Sequence, residues 1–172
     1  TPITEFKNGP EPPKVPLTYN PVGSYRRDFM VPSHWEGREI FVYLGSVKSA
    51  FYIWINGKKV GYSEGSKLPA EFNITPYVRP GKSNTIALEV YRWSTASYLE
   101  CQDFWRMSGI ERSVEVYSRP KMHIRDFEVV STLDETYRNG RLGLWITLSN
   151  RLDVARKGLV EVSLLDGEQK LL

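Results

Sequence analysis

The stretch Ile53-Trp54-Ile55-Asn56-Gly57-Lys58-Lys59-Val60 leaves little choice of fold. Asn-Gly between two apolar runs is the strongest short-range signal for a β-hairpin, because both residues tolerate the positive φ of a type I′ turn. Its surroundings repeat the theme. Ile86, Leu88 and Val90 point one way while Ala87, Glu89 and Tyr91 point the other, as in a half-buried strand. Residues 24–31 alternate as well, with Tyr25, Phe29 and Val31 expected inward, and 40–44, 50–55, 71–74 and 113–118 read as further strands. Pro69 and Pro80-Gly81 punctuate them, and no stretch carries a convincing helical period. The expectation is an all-β sandwich. Before it, Pro2, Pro10, Pro12, Pro13, Pro16 and Pro21 exclude helix and central strand, so residues 1–22 are expected as an extended arm.

Between two good strands, residues 92–112 break every pattern. Trp93, Tyr98, Phe104 and Trp105 are interleaved with Arg92, Arg106 and Arg112, with Glu100, Asp103 and Glu111, and with Gln102. A long irregular connection is usually either functional or disordered, and this density of aromatics argues for function. Composition narrows the choice of function. Hydrophobic residues at 41% and aromatics at 13% supply a core. Twenty-three basic residues against 20 acidic give a net charge of +3, spread along the chain with no basic run that would suit nucleic acid. No apolar run approaches a membrane span. The single cysteine, Cys101, leaves the redox compartment open, cytoplasmic or periplasmic. His34 and His123 lack partners at metal-ligand spacing and read as ordinary packing or surface residues.

Three stretches carry a family resemblance. Ser97-Tyr98-Leu99-Glu100, Gln102-Asp103 and Trp105-Arg106-Met107-Ser108-Gly109-Ile110 resemble the first-domain loop of β-galactosidases in glycoside hydrolase family 2. Asn20-Pro21-Val22-Gly23-Ser24-Tyr25 resembles the turn into that domain. Asn56-Gly57, Val60-Gly61-Tyr62 and Leu68-Pro69-Ala70-Glu71-Phe72 resemble its central hairpin and following strand, so the likeness runs over roughly residues 15–130. The resemblance implies a jelly-roll β-sandwich over 23–119, the sugar-binding domain. It implies that 120–172, with strands expected at 124–131, 143–148 and 158–165, opens an immunoglobulin-like sandwich. Such a domain takes about 100 residues, so the chain is expected to stop inside it.

The resemblance also assigns site residues. Asp103 would ligate a sodium ion and help bind galactose hydroxyls, which suits a carboxylate facing a hard cation. The competing reading is a loop aspartate paired with Arg106 or Arg112. Asn20, held extended by Pro21, would reach the sugar beside Asp103, or else simply initiate a turn. Trp105 and Arg106 are expected to be structural, a buried ring beside a guanidinium. Cys101 departs from the family, which commonly has an acid there. Glu100, Asp103, Glu111 and Glu115 invite a catalytic-pair reading, but acids scattered on one irregular loop do not guarantee two carboxyls about 5 Å apart. The resemblance places the catalytic glutamates on a (β/α)₈ barrel of about 250 residues, which also leaves room for magnesium. This chain alone is therefore expected to be inactive. Its partners are a β-galactoside, the barrel domain and, in the intact enzyme, further copies in a homo-oligomer. The rivals are a free-standing carbohydrate-binding module, or the same domain of a β-glucuronidase or β-mannosidase.

Overall fold

The computed structural model describes residues 11–100 and 105–171. It divides into two compact units, meeting in sequence at Pro120 and Lys121. The first holds β1 (Val22–Met30), β2 (Glu39–Leu44), β3 (Val47–Lys48), β4 (Ala50–Ile55), β5 (Lys58–Glu64), β6 (Ala70–Asn73), β7 (Ser83–Tyr91), β8 (Gly109–Ile110) and β9 (Val114–Arg119). They pair antiparallel into a four-stranded sheet, β1-β7-β4-β5, a three-stranded sheet, β6-β2-β9, and a short β3-β8 ladder. Helical structure among the described residues amounts to two 3₁₀ turns, Ser33–Trp35 and Thr95–Tyr98.

The core explains why two sheets are needed. Ile53, Ile55, Leu88 and Val90 from the larger sheet meet Ile40, Val42 and Leu44 from the smaller, with Val31 and Ile74 closing the ends. The aliphatic side chains of each sheet lie on its inward face, and facing the other sheet removes that face from water. The hairpin forms as its sequence requires, with Asn56 at φ 50° and Gly57 at φ 79°. The register shifts between Ile53 and Trp54, and Val60 packs against the core. Gly61 has a steric reason to be glycine: a Cβ there would stand 2.5 Å from the Phe72 ring.

Two expectations need correcting. Tyr25 lies opposite the buried Leu88, so the alternation assigned its face correctly, yet the side chain is 43% exposed. β1 is an edge strand, with a neighbour on one side only. In the second unit, β10 (Met122–Leu133) and β11 (Gly140–Asn150) form a long hairpin, longer than the alternation suggested. Its turn is tied by Asp134, which accepts hydrogen bonds from Thr136, Arg138 and Asn139; the Thr136 hydroxyl chief among them holds that carboxyl well below the usual range. Residues 158–165 are not a strand, and only Leu165 makes a bridge, to Leu171. Extended sequence becomes strand only by pairing, and no partner exists for this segment among the described residues.

Ile53→Ala is expected to lower stability by about 3 kcal/mol, since the side chain is fully buried between the sheets. Urea denaturation checks this, and a loss below about 1 kcal/mol would mean that the core is not closed there.

Candidate functional site: the loop at residues 92–112

The loop begins where β7 leaves the ladder. Val22 faces Tyr91, and the Arg92 amide donates to Pro21 O at 2.9 Å. Pro21 has no N–H to continue the pairing. The Asn20 side chain takes over: Nδ2 donates to Trp93 O at 2.9 Å, and the Trp93 amide donates to Asn20 Oδ1 at 3.0 Å. A carboxamide thus imitates a peptide group and carries the sheet one residue further. Trp93 is buried, with Val15 and Tyr98 packed on it, and the Tyr98 hydroxyl donates to Lys14 O. Arm and loop are fastened together there.

The next anchor is Glu64, at the end of β5. Its carboxylate accepts from the Thr95 hydroxyl, from the Ala96 amide at 2.7 Å and from the Tyr62 hydroxyl at 2.7 Å. Ala96 lies in the 3₁₀ turn Thr95–Tyr98, whose first N–H groups have no partner within the turn. Burial raises the Glu64 pKa, but the hydrogen bonds from Thr95, Tyr62, Ala96 and Ser94 outweigh it and leave the carboxyl below its ordinary value. The same contact raises Tyr62, by burial first and by its bond to Glu64 second.

Two more glutamates complete the fastening. Glu100 Oε1 accepts from the Ser66 amide at 2.8 Å. Glu111 Oε2 receives Lys67 Nζ at 2.5 Å and the Ser46 hydroxyl at 3.3 Å. Lys67 adopts φ 74°, a left-handed conformation uncommon for a side-chain-bearing residue, and the ion pair with Glu111 helps hold it there. β8 pairs with β3, and the buried Lys48 sends Nζ to Trp105 O at 3.2 Å. The connection between β5 and β6 is therefore stapled to the loop from both sides.

This geometry disposes of the catalytic-pair reading for the described acids. Glu100 and Glu111 hold backbone and lysine, and Glu115 bonds Ser113. Cys101, Gln102, Asp103 and Phe104 lie outside the described residues. Trp105 corrects the sequence expectation: it is 75% exposed, not buried. Leu99, Met107 and Leu68 are exposed beside it in sequence or across the staple. The anchoring aromatics are Trp93 and Tyr98 instead. Sequence reasoning missed Glu64 and Lys48. The available signal was Lys48 itself, a charge inside an apolar run, where burial demands a partner.

A two-layer antiparallel sandwich carrying an anchored, irregular loop defines the class. A family model described as "Glycosyl hydrolases family 2, sugar binding domain" matches residues 5–120. The chain belongs to that family. It is 52% identical over 157 residues to a β-galactosidase of Priestia megaterium, covering 91% of this chain and 15% of that protein. A β-galactosidase of Halalkalibacterium halodurans is 42% identical with the same coverage. The chain thus spans about 15% of the length of these relatives. Among solved structures, a β-glucuronidase of Ruminococcus gnavus in complex with D-glucaro-d-lactam superimposes with a TM-score of 0.71 at 22% identity, over 89% of this chain and 28% of that one. A β-D-glucuronidase of Dictyoglomus thermophilum gives 0.65 at 21%, over 86% and 28%. At that identity the likeness establishes the fold alone.

Glu64→Ala is expected to cost about 1 kcal/mol at neutral pH, because it removes the acceptor of the half-buried Ala96 amide and of two exposed hydroxyls. The Glu64 pKa is lowered in the folded state, so its contribution is complete above the ordinary value of 4.5 and fades as pH falls through the lowered one. The difference between wild type and variant in urea unfolding should therefore shrink in acid. A difference that held constant however far the pH was taken below 4.5 would contradict the assigned bonds.

Proposed function

We propose that this chain is the non-catalytic sugar-binding domain of a β-galactosidase, and that residues 95–110 complete an active site carried elsewhere in the enzyme. The observation behind this reading is the 52% identity to a protein of that activity across most of the chain. The intact enzyme would hydrolyse terminal β-galactosides with retention, using two carboxyls about 5 Å apart. Those groups belong to a barrel domain, and this chain alone would be inactive. Three features support the division of labour. The described glutamates of the loop are committed to fastening it. The fastening fixes both flanks of residues 101–104. Leu99, Trp105 and Met107 offer apolar surface suited to packing against another domain.

Within that pocket, Asp103 would present a carboxylate to a sodium ion and to galactose hydroxyls. A carboxylate oxygen suits this hard cation, which would fix the hydroxyls by charge. Asn20 would act beside it. Its pairing with Trp93 uses one N–H and one lone pair, so a second N–H and a second lone pair remain for a hydroxyl. The likeness to β-glucuronidase structures does not argue for a uronide substrate, because it carries fold only.

In the full-length enzyme, Asp103→Asn should keep the fold, lower kcat/KM by about 100-fold, the worth of a charge-assisted contact of about 3 kcal/mol, and abolish the response to sodium. Steady-state kinetics across sodium concentrations test it. Unchanged kinetics would remove Asp103 from the site.

A further inference from the structure

The outward face of the four-stranded sheet holds a concavity lined by no residue of the loop at 92–112. Arg26 on β1, Ala87 on β7 and Trp54 on β4 lie in one register row, facing away from the core. At the hairpin end of that face a cavity of about 670 Å³ opens, floored by Arg26, Trp54, Thr85 and Ala87. Its walls are the Asn56–Lys58 turn and the segment 76–79.

The wall is rigidly framed. Asn56 Nδ2 donates to Tyr77 O and to Asn84 Oδ1, each at 2.8 Å, and Asn56 Oδ1 accepts the Thr85 amide at 3.0 Å. Asn84, 1% exposed, accepts the Arg79 amide at 2.8 Å and donates to Arg79 O and Lys82 O. Two asparagines thus hold segment 76–79 against the hairpin, and Arg79 stands fixed at the rim with its guanidinium on Ser83 O at 3.1 Å. A preorganised wall costs little to occupy.

The lining is one-sided in charge. Arg26, Lys58 and Arg79 border the cavity, and no carboxylate does. The acid nearest along β1, Asp28, accepts the Thr85 hydroxyl at 2.6 Å. Arg26 and Lys58 form no ion pair among the described residues. The Trp54 indole adds the flat apolar surface on which a sugar ring stacks, and a guanidinium suits carboxylate or phosphate.

We infer that this cavity is a secondary binding site for an anionic sugar, a monosaccharide unit bearing a carboxylate or phosphate, separate from the loop at 92–112. Arg26 and Lys58 meet the anion, and Trp54 meets the ring.

The test titrates the chain, by calorimetry and ¹⁵N NMR, with glucuronate, glucose 6-phosphate, glucose and inorganic phosphate. These probes lie outside the galactose series, so the result is independent of the galactose pocket proposed above. Glucuronate or glucose 6-phosphate should bind with Kd of about 1 mM and shift the Trp54 indole and Ala87 amide signals. Glucose and inorganic phosphate should each bind at least tenfold more weakly, and the tighter of the two anionic sugars identifies the group preferred. Arg26→Gln and Lys58→Gln alter exposed side chains and leave the asparagine frame intact; the double variant should lose at least tenfold in affinity. The proposal is overturned if inorganic phosphate binds as tightly as the anionic sugars, if the Trp54 signal stays still, or if the double variant binds like wild type.

Discussion

The carboxylate of Glu64 accepts hydrogen bonds from Tyr62, Thr95 and Ala96, and the irregular part of the chain depends on contacts of this kind. A segment without helix or strand must satisfy its backbone donors some other way, or it will not hold one conformation. Here the solution is reciprocal. Glu64 at the end of β5 reaches into the loop, Glu100 of the loop reaches back to Ser66, and Glu111 closes on Lys67. Asn20 does the same at the entry, carrying the pairing past Pro21, which has no N–H to give. The sandwich core makes these contacts possible, because it fixes β5 and β7 against the opposite sheet.

This arrangement gives the acids of the loop a common role that their chemistry alone does not reveal. Carboxylates at Glu100 and Glu111 are placed to hold main chain and lysine, which accounts for a loop rich in acids without a catalytic pair among the described residues. One oxygen of each, Glu100 Oε2 and Glu111 Oε1, is buried with no hydrogen bond among the described residues. Both flank the segment that carries Asp103. In a β-galactosidase reading, rigidity is the domain's contribution: an acid useful to a distant sugar pocket must arrive in a defined place.

Local signals carried most of the strands. Asn56-Gly57 named its own turn, and the alternation of Ile86, Leu88 and Val90 named the buried face of β7. Such features are settled by neighbours in sequence. Tyr25 was assigned the right face but the wrong burial, because edge position belongs to the sheet and not to the strand. Residues 158–165 carry strand-like residues but lack a pairing partner among the described residues, and Trp105 turned out to be surface. The anchors were the least legible, since Glu64 and Ala96 stand 32 residues apart and Glu100 and Ser66 stand 34 apart. For the loop, the sequence showed the irregular connection and the family likeness, while the means of holding it could not be read.

The function proposed above makes residues 95–110 one wall of a sugar pocket completed by another part of a longer enzyme. Hydrogen exchange on the full-length protein, with and without a bound galactoside analogue, measures this directly. The account predicts slow exchange at the Ala96 and Ser66 amides in both states, with added protection on ligand binding confined to the segment around 101–105. Ligand-independent exchange throughout 92–112, or fast exchange at Ala96 in the absence of ligand, would contradict it.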